Sequence, residues 1–427
     1  MMKIMPTRTR KRDLPTRRRV LALGAGLAAV PAALTAVEIA AESPEARAAV
    51  AKGTDTDPLR LPPLEDGIAS LDVPLAARLE ATSAGARQTA PLVTSTFSMV
   101  GVTWRGGLDG APAVHVRTRR STDGGAAEWS EWQSLPLQRD LPGADEGNDR
   151  HGTQPVWLGD STGVQVRLVG HQPRGLTLVL MDTGPTEDID LPEAEPDPVS
   201  GDTSDLGFGA GPDTKGRVLP RKWTRAPRPV LMSRKKWGAN EKWRNGKPRY
   251  CRTLKQVHIH HTATSNSYTK GDVPGIIRGI YRYHTKSLGW FDIGYNFLVD
   301  KFGYSWVGRS GGPTKLVRGA HTLGFNHVSM GIAVIGDFQH HEPTAHIITK
   351  LVQLAAWKLD YYKRNPIGKI WVKSEGSDKY KKGRKVLLPV IDGHRDTNDT
   401  ACPGAKLYAR LPEIRKRTAR RCNRYHP

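Results

Sequence analysis

Between residues 91 and 182 the apolar positions come in short β-branched and aromatic runs: Pro91–Trp104, Ala113–Arg119, Trp129–Trp132, Pro155–Trp157, Gly163–Val169 and Leu176–Met181. Turn residues separate these runs at the spacing of an antiparallel sandwich, so the pattern predicts an all-β, sandwich-like domain. Arg117, Arg119 and Arg167 are expected on its wet face. Trp104, Trp129, Trp132 and Trp157 are expected in its core, with a sugar-binding surface as the alternative for these rings.

From about residue 229 the pattern changes. Within Asp272–Lys286, Ile276, Ile277, Ile280, Tyr281 and His284 recur at helical spacing, which predicts a helix that packs one face and brings Tyr283 or His284 toward a site. His346–Tyr361 repeats its apolar residues in the same way, and a last helix fits Ala405–Arg417. Ile293–Val299 and Ser305–Gly308 read as hairpin strands, while Met330–Gly336 is nearly all apolar, as a central strand covered on both faces would be. In Val257–Ala263 strand alternation sets His258 and His260 on one face and Val257, Ile259 and His261 on the other. Strands alternating with helices predict an α/β domain over 229–427, one mixed sheet flanked by helices.

The remaining stretches lack such periodicity. Residues 42–90 are rich in Ala, Pro, Asp and Glu, and 183–228 are acidic and then Gly/Pro-rich; both read as linkers. Residues 1–41 join a basic start, including Arg17-Arg18, to an apolar run from Val20 to Val37. Glu38 ends that run short of the roughly 20 residues a membrane helix needs. This reads as an export signal of twin-arginine type, leaving no stable membrane span after processing. A chain of 427 residues is long enough for more than one core. Its net charge of +22 draws it toward polyanions, but export places it away from nucleic acid.

Cys251, Cys402 and Cys422 are the only cysteines. In an exported chain an odd number implies one bridge and one thiol kept for another use. Cys402 lies in metal-site surroundings, so Cys251 and Cys422 are expected to form a disulfide that ties down the C-terminus. Two histidines and a thiolate make a zinc set with its fourth position left for water, and His260, His394 and Cys402 supply it. His258 shares the face of His260 and is the rival ligand; His261 is expected to pack behind and bond a carbonyl.

Six segments in order carry a resemblance: His260-His-Thr-Ala263, Trp290-Phe-Asp-Ile-Gly-Tyr-Asn-Phe297, Gly319-Ala-His-Thr-Leu-Gly-Phe-Asn326, Ser329–Phe338, Gly393-His-Arg-Asp396 and Ala401-Cys-Pro-Gly404. From about Ser233 to Leu411 the chain resembles the peptidoglycan recognition proteins and the related zinc N-acetylmuramoyl-L-alanine amidases of phage lysozyme type. The β domain resembles, more loosely, the N-terminal region of secreted actinobacterial members. The resemblance implies zinc held by His260, His394 and Cys402, and Tyr295 as the catalytic tyrosine. Thr400 stands where the phage enzyme has a lysine, and as a hydroxyl offers a neutral hydrogen bond to a developing oxyanion. Asp396 is expected to hold His394 or its loop. His321 and Asn326 line a peptide groove or stabilise buried turns; Arg309 and Arg318 meet stem-peptide carboxylates or remain solvated charges. The implied function is hydrolysis of the amide between the muramyl lactyl group and L-alanine of peptidoglycan. The alternative is a zinc-containing recognition protein that binds wall fragments uncut. Expected partners are peptidoglycan, muramyl peptides and anionic wall polymers, met by a secreted, wall-associated monomer.

Overall fold

A computed structural model of the chain describes residues 58–122, 125–140, 149–185 and 225–423. The export signal expected over residues 1–41 and most of the linker expected over 183–228 lie outside the described residues.

The N-terminal region is all-β. Its two longest strands, Leu92–Arg105 and Val156–Val169, pair antiparallel at the centre of a ten-stranded sheet. Val156–Val169 joins two runs that the sequence separates at Asp160-Ser-Thr-Gly163. Register shifts in its pairing with Leu92–Arg105 absorb that polar interruption. Residues 69–89, expected in a linker, instead contribute strands Ala69–Pro74, Leu79–Ala81 and Arg87–Thr89. Ala69–Pro74 gains its apolar neighbours across the ladder, with Leu71 opposite Leu180 and Val73 opposite Leu178. Its own composition shows no period because the partner strand supplies half of the packing. Trp104 and Trp157 are buried, whereas Trp129 and Trp132 are half-buried beneath Arg117 and Arg167. Arg117 is therefore not on a wet face. It is buried, with Nε donating to Gln165 Oε1 at 2.8 Å.

The C-terminal region is a five-stranded mixed sheet with helices on both sides. Its order is Ser305–Val307, Phe297–Val299, Ser329–Val334, Gln256–His261 and Ile391–Gly393. Gln256–His261 runs parallel to both neighbours, and all six of its residues are buried, as a central strand covered on both faces requires. On one face Val257, Ile259 and Ile332 pack with Ile347, Ile348, Leu351 and Leu354 of helix Ala345–Tyr361. That helix starts at Thr344, whose hydroxyl accepts from Ile347 N at 3.3 Å. The predicted last helix is two, Ala405–Ala409 and Leu411–Asn423.

On the other face helix Asp272–Arg282 packs Ile276, Ile277 and Ile280. These belong to one cluster with Leu298 and Ala333 of the α/β sheet and with Ile68, Met99, Val179 and Met181 of the β domain. The two domains thus share a core. The helix continues as a π turn, Tyr283–Ser287, which sends Tyr283 into the β domain. There its hydroxyl donates to Val102 O at 3.1 Å. Glycines admit the ring: a Cβ on Gly101 would lie 2.5 Å from Tyr283 Cε2, and one on Gly152 would lie 2.7 Å from its hydroxyl.

The expected Cys251–Cys422 disulfide is absent, and all three cysteines are free. Cys251 Sγ points to Asn326 O at 3.4 Å, while Cys422 packs with Ala226 and Ala356 in a separate cluster. Burial pushes their thiols up to about 11 and about 12 respectively, so both stay protonated. Counting cysteines gave a pairing that the placement of the last helix does not allow.

Candidate metal centre

Strand register brings the site together. Ile259 is opposite Gly393 in the parallel ladder, so the next residues along each chain, His260 and His394, emerge side by side with ring centroids 4.7 Å apart. Cys402 follows on the loop after His394, its backbone oxygen accepting from Arg395 N at 3.0 Å. One ligand atom from each of His260, His394 and Cys402 lies within 4.8 Å of the others. Cys402 Sγ is 3.8 Å from His260 Nδ1. Tetrahedral zinc with ordinary Zn–S and Zn–N bonds sets sulfur and nitrogen about 3.6 Å apart, so the donors fit that metal in kind and in spacing. The His261 amide also donates toward Cys402 Sγ, at 3.4 Å.

The outer nitrogens of the two imidazoles are also engaged. His260 Nε2 is 3.1 Å from His321 Nδ1, and His394 Nε2 is 2.8 Å from Asp140 Oδ1 of the β domain. Each ring therefore has its Nδ1 left for a metal. Burial holds His260 well below the ordinary imidazole value, with His394 and His321 adding to the effect, so it is neutral, as a ligand must be. In metal-free protein burial also works against protonation of His394, but Asp140 and Cys402 outweigh it and raise this imidazole to about 10.

Tyr295 stands beside the cluster, its ring 5.5 Å from that of His260. Burial, then Asp140 and Cys402, hold its phenol well above the ordinary value. It remains a hydroxyl and therefore a donor, with Gln154 Oε1 at 3.5 Å. Thr400 Oγ1 accepts from Cys402 N at 3.2 Å and so shapes the ligand loop. Asp396 serves that loop too, accepting from Gly393 N at 2.9 Å and from the Tyr408 hydroxyl at 2.7 Å. It is Asp140, not Asp396, that meets His394.

The remaining predicted residues divide. His258 turns to Asp392, with Nδ1 2.8 Å from Oδ1, and is outside the ligand cluster. His261 Nδ1 accepts from the Phe338 amide at 3.2 Å, where a carbonyl was expected. Asn326 Oδ1 accepts from His321 N and Thr322 N at 2.9 and 3.1 Å, fixing the turn that carries His321. Arg309 is buried and donates to Ile293 O at 3.2 Å. Arg318 pairs with Glu375 at 2.7 Å. His284 stacks on Trp290 with centroids 4.4 Å apart, and its ring lies 6.1 Å from that of Tyr295. Sequence reasoning missed the support of His260 by His321, although the segment Gly319–Asn326 had drawn attention. It missed Asp140 altogether.

Known proteins match in two blocks. The family model N-acetylmuramoyl-L-alanine amidase matches residues 250–405, and the model Rv3811 N-terminal galactose-binding domain-like matches 34–198. Peptidoglycan-recognition protein SC2 of Drosophila melanogaster is 30% identical over 179 residues, 42% of this chain and 83% of that protein. Peptidoglycan-recognition protein LE of the same organism is 43% identical over 103 residues, 24% of this chain and 29% of that protein. Among solved structures, Drosophila PGRP-LB is matched at 27% identity and a TM-score of 0.33, over 43% of this chain and 92% of that one. With 83% of the SC2 protein covered at 30% identity, and His260, His394 and Cys402 brought together within the matched region, this chain belongs to the peptidoglycan-recognition protein family.

Proposed function

We propose that the chain is a zinc-dependent N-acetylmuramoyl-L-alanine amidase that cleaves the amide between the muramyl lactyl group and L-alanine. The gathering of His260, His394 and Cys402 within 4.8 Å, beside a tyrosine held in its hydroxyl form, carries the reading. Bound zinc would polarise the amide carbonyl and make water nucleophilic near neutral pH. Tyr295 donates its phenolic proton as a hydrogen bond to the oxygen that becomes negative when the carbonyl turns tetrahedral. Thr400 keeps the backbone of Cys402 in place, and His321 orients His260. The region from residue 229 onward is proposed as the amidase domain. A twin-arginine-type signal over residues 1–41 would deliver the protein to the wall, where the lysines exposed along Lys369–Lys373 and at Lys385 suit an anionic polymer.

The test measures zinc content beside release of stem peptide from a soluble muramyl peptide. Cys402→Ser should lose both, because a neutral hydroxyl is a poor zinc ligand. Tyr295→Phe should keep its zinc and lose on the order of 10²–10³ in kcat, as removal of one oxyanion donor does. Full zinc and wall-fragment binding with no peptide released by the wild type would instead support the non-catalytic recognition reading.

A further inference from the structure

Between strands Gln133–Leu135 and Val156–Val169, the described residues 136–140 and 149–155 of the β domain form the two sides of an arm. Its two sides are tied by a bridge between Leu137 and Thr153 and by bonds from Gln138 N to Gly152 O at 2.9 Å and from Gln154 N to Pro136 O at 2.7 Å. Side chains of this arm reach the α/β domain at separate points. Asp140 Oδ1 lies 2.8 Å from His394 Nε2, Gln154 faces the Tyr295 hydroxyl, and Arg139 Nη1 lies 3.3 Å from Asp378 Oδ2.

Asp140 is fully buried. A buried carboxylate is costly unless a partner compensates it, and among the described residues of the β domain its side-chain partner is Gln138, whose Nε2 lies 3.3 Å from Oδ2. Its other oxygen meets the second domain: Oδ1 lies 2.8 Å from His394 Nε2, close but short of the alignment of a full hydrogen bond. An imidazole that binds a metal through one nitrogen usually gives its other N–H to an acceptor, which fixes the ring and raises its basicity. His260 obtains this support from His321 within its own domain. His394 has Asp140.

We propose that Asp140 is the positioning residue for His394, so that the metal site of the α/β domain is completed by a carboxylate from the β domain. The inference rests on the metal reading given above. It explains why the arm buries an acid, and why the domains are joined by a shared apolar core that holds the acid in register.

The experiment uses the full chain and titrates metal-free protein with zinc against a chromophoric chelator. Asp140→Asn keeps the shape and removes the charge, and Asp140→Ala removes both. Each should bind zinc about 10–100-fold more weakly than wild type, the usual consequence of losing such a partner. Arg139→Gln loosens the same arm without touching a ligand and should leave zinc affinity unchanged. Thermal unfolding of each metal-free protein shows that it is folded. Wild-type affinity in a folded Asp140→Asn protein overturns the proposal. So does equal weakening by Arg139→Gln, which would mark the arm as merely structural. Turnover faster than wild type in Asp140→Asn also overturns it, since Asp140 would then be a plug. A wild-type chain that binds no zinc overturns the metal reading itself, before any variant is compared.

Discussion

The fit of Tyr283 into the β domain gives a sharp test of the shared core. Replacing Gly101 with Ala sets a methyl group 2.5 Å from Tyr283 Cε2 and 2.8 Å from Cζ. The ring is fully buried and held by its bond to Val102 O, so it cannot swing away freely. Overpacking of this kind costs about 1–3 kcal/mol. Tyr283→Ala should cost about 3–5 kcal/mol, as truncation of a buried aromatic does. The double variant should be less destabilised than the two single effects added together, because removing the ring removes the clash; the coupling should approach the whole cost of Gly101→Ala. Gly152→Ala is the contrast. Its methyl would also lie 2.6 Å from Val102 O, which is backbone, so its penalty should persist without the ring. Urea unfolding followed by tryptophan fluorescence reads all five variants. If Gly101→Ala costs the same in the wild-type and Tyr283→Ala backgrounds, the tyrosine is not what the glycine accommodates and the account of the interface fails.

Two further outcomes are expected. Burial, aided by Arg309, lowers His284 from 6.5 to about 3. A base with a depressed folded value contributes stability that is present above 6.5 and is lost as pH falls from there toward 3, so His284 should account for about 2.5 kcal/mol of the loss between pH 7 and 4.5. His284→Asn should show a correspondingly shallower fall in unfolding free energy, and an unchanged slope would refute the assignment. Because Cys251, Cys402 and Cys422 are all free, denatured, unreduced protein should take up three alkyl groups, and reductant should leave the urea midpoint unchanged; a cross-linked peptide in a non-reducing digest would count against this.

What the sequence disclosed, and what it hid, follows from how far each signal reaches. His260 was legible because strand alternation is local and its neighbours Val257 and Ile259 are apolar. The helix Ala345–Tyr361 was legible because its apolar positions repeat within a single stretch. Residues 69–89 were not, since Ala69–Pro74 becomes a strand only beside Arg174–Asp182, a partner about a hundred residues away. The cysteine arithmetic contains no distances, and so it joined Cys251 and Cys422, two thiols that the fold separates. Asp140 was invisible for a plainer reason. A carboxylate in a turn-rich stretch looks like any solvated acid, and the imidazole it meets, His394, belongs to a second domain whose sequence begins far downstream.

The shared core also has an order of manufacture. The β domain leaves the ribosome first, carrying Ile68, Met99, Val179 and Met181 on the face that the α/β domain later covers. The helix that covers them begins at Asp272, 90 residues after the last β-domain strand ends at Asp182. At the usual pace of synthesis that interval lasts about 5–20 s. For that time the nascent chain presents a greasy surface with no partner, and an N-terminal fragment cut at the linker would present it permanently. A chaperone that shields this face during translation should therefore raise the yield of the whole chain, whereas the isolated β domain should be the fragment most prone to aggregate.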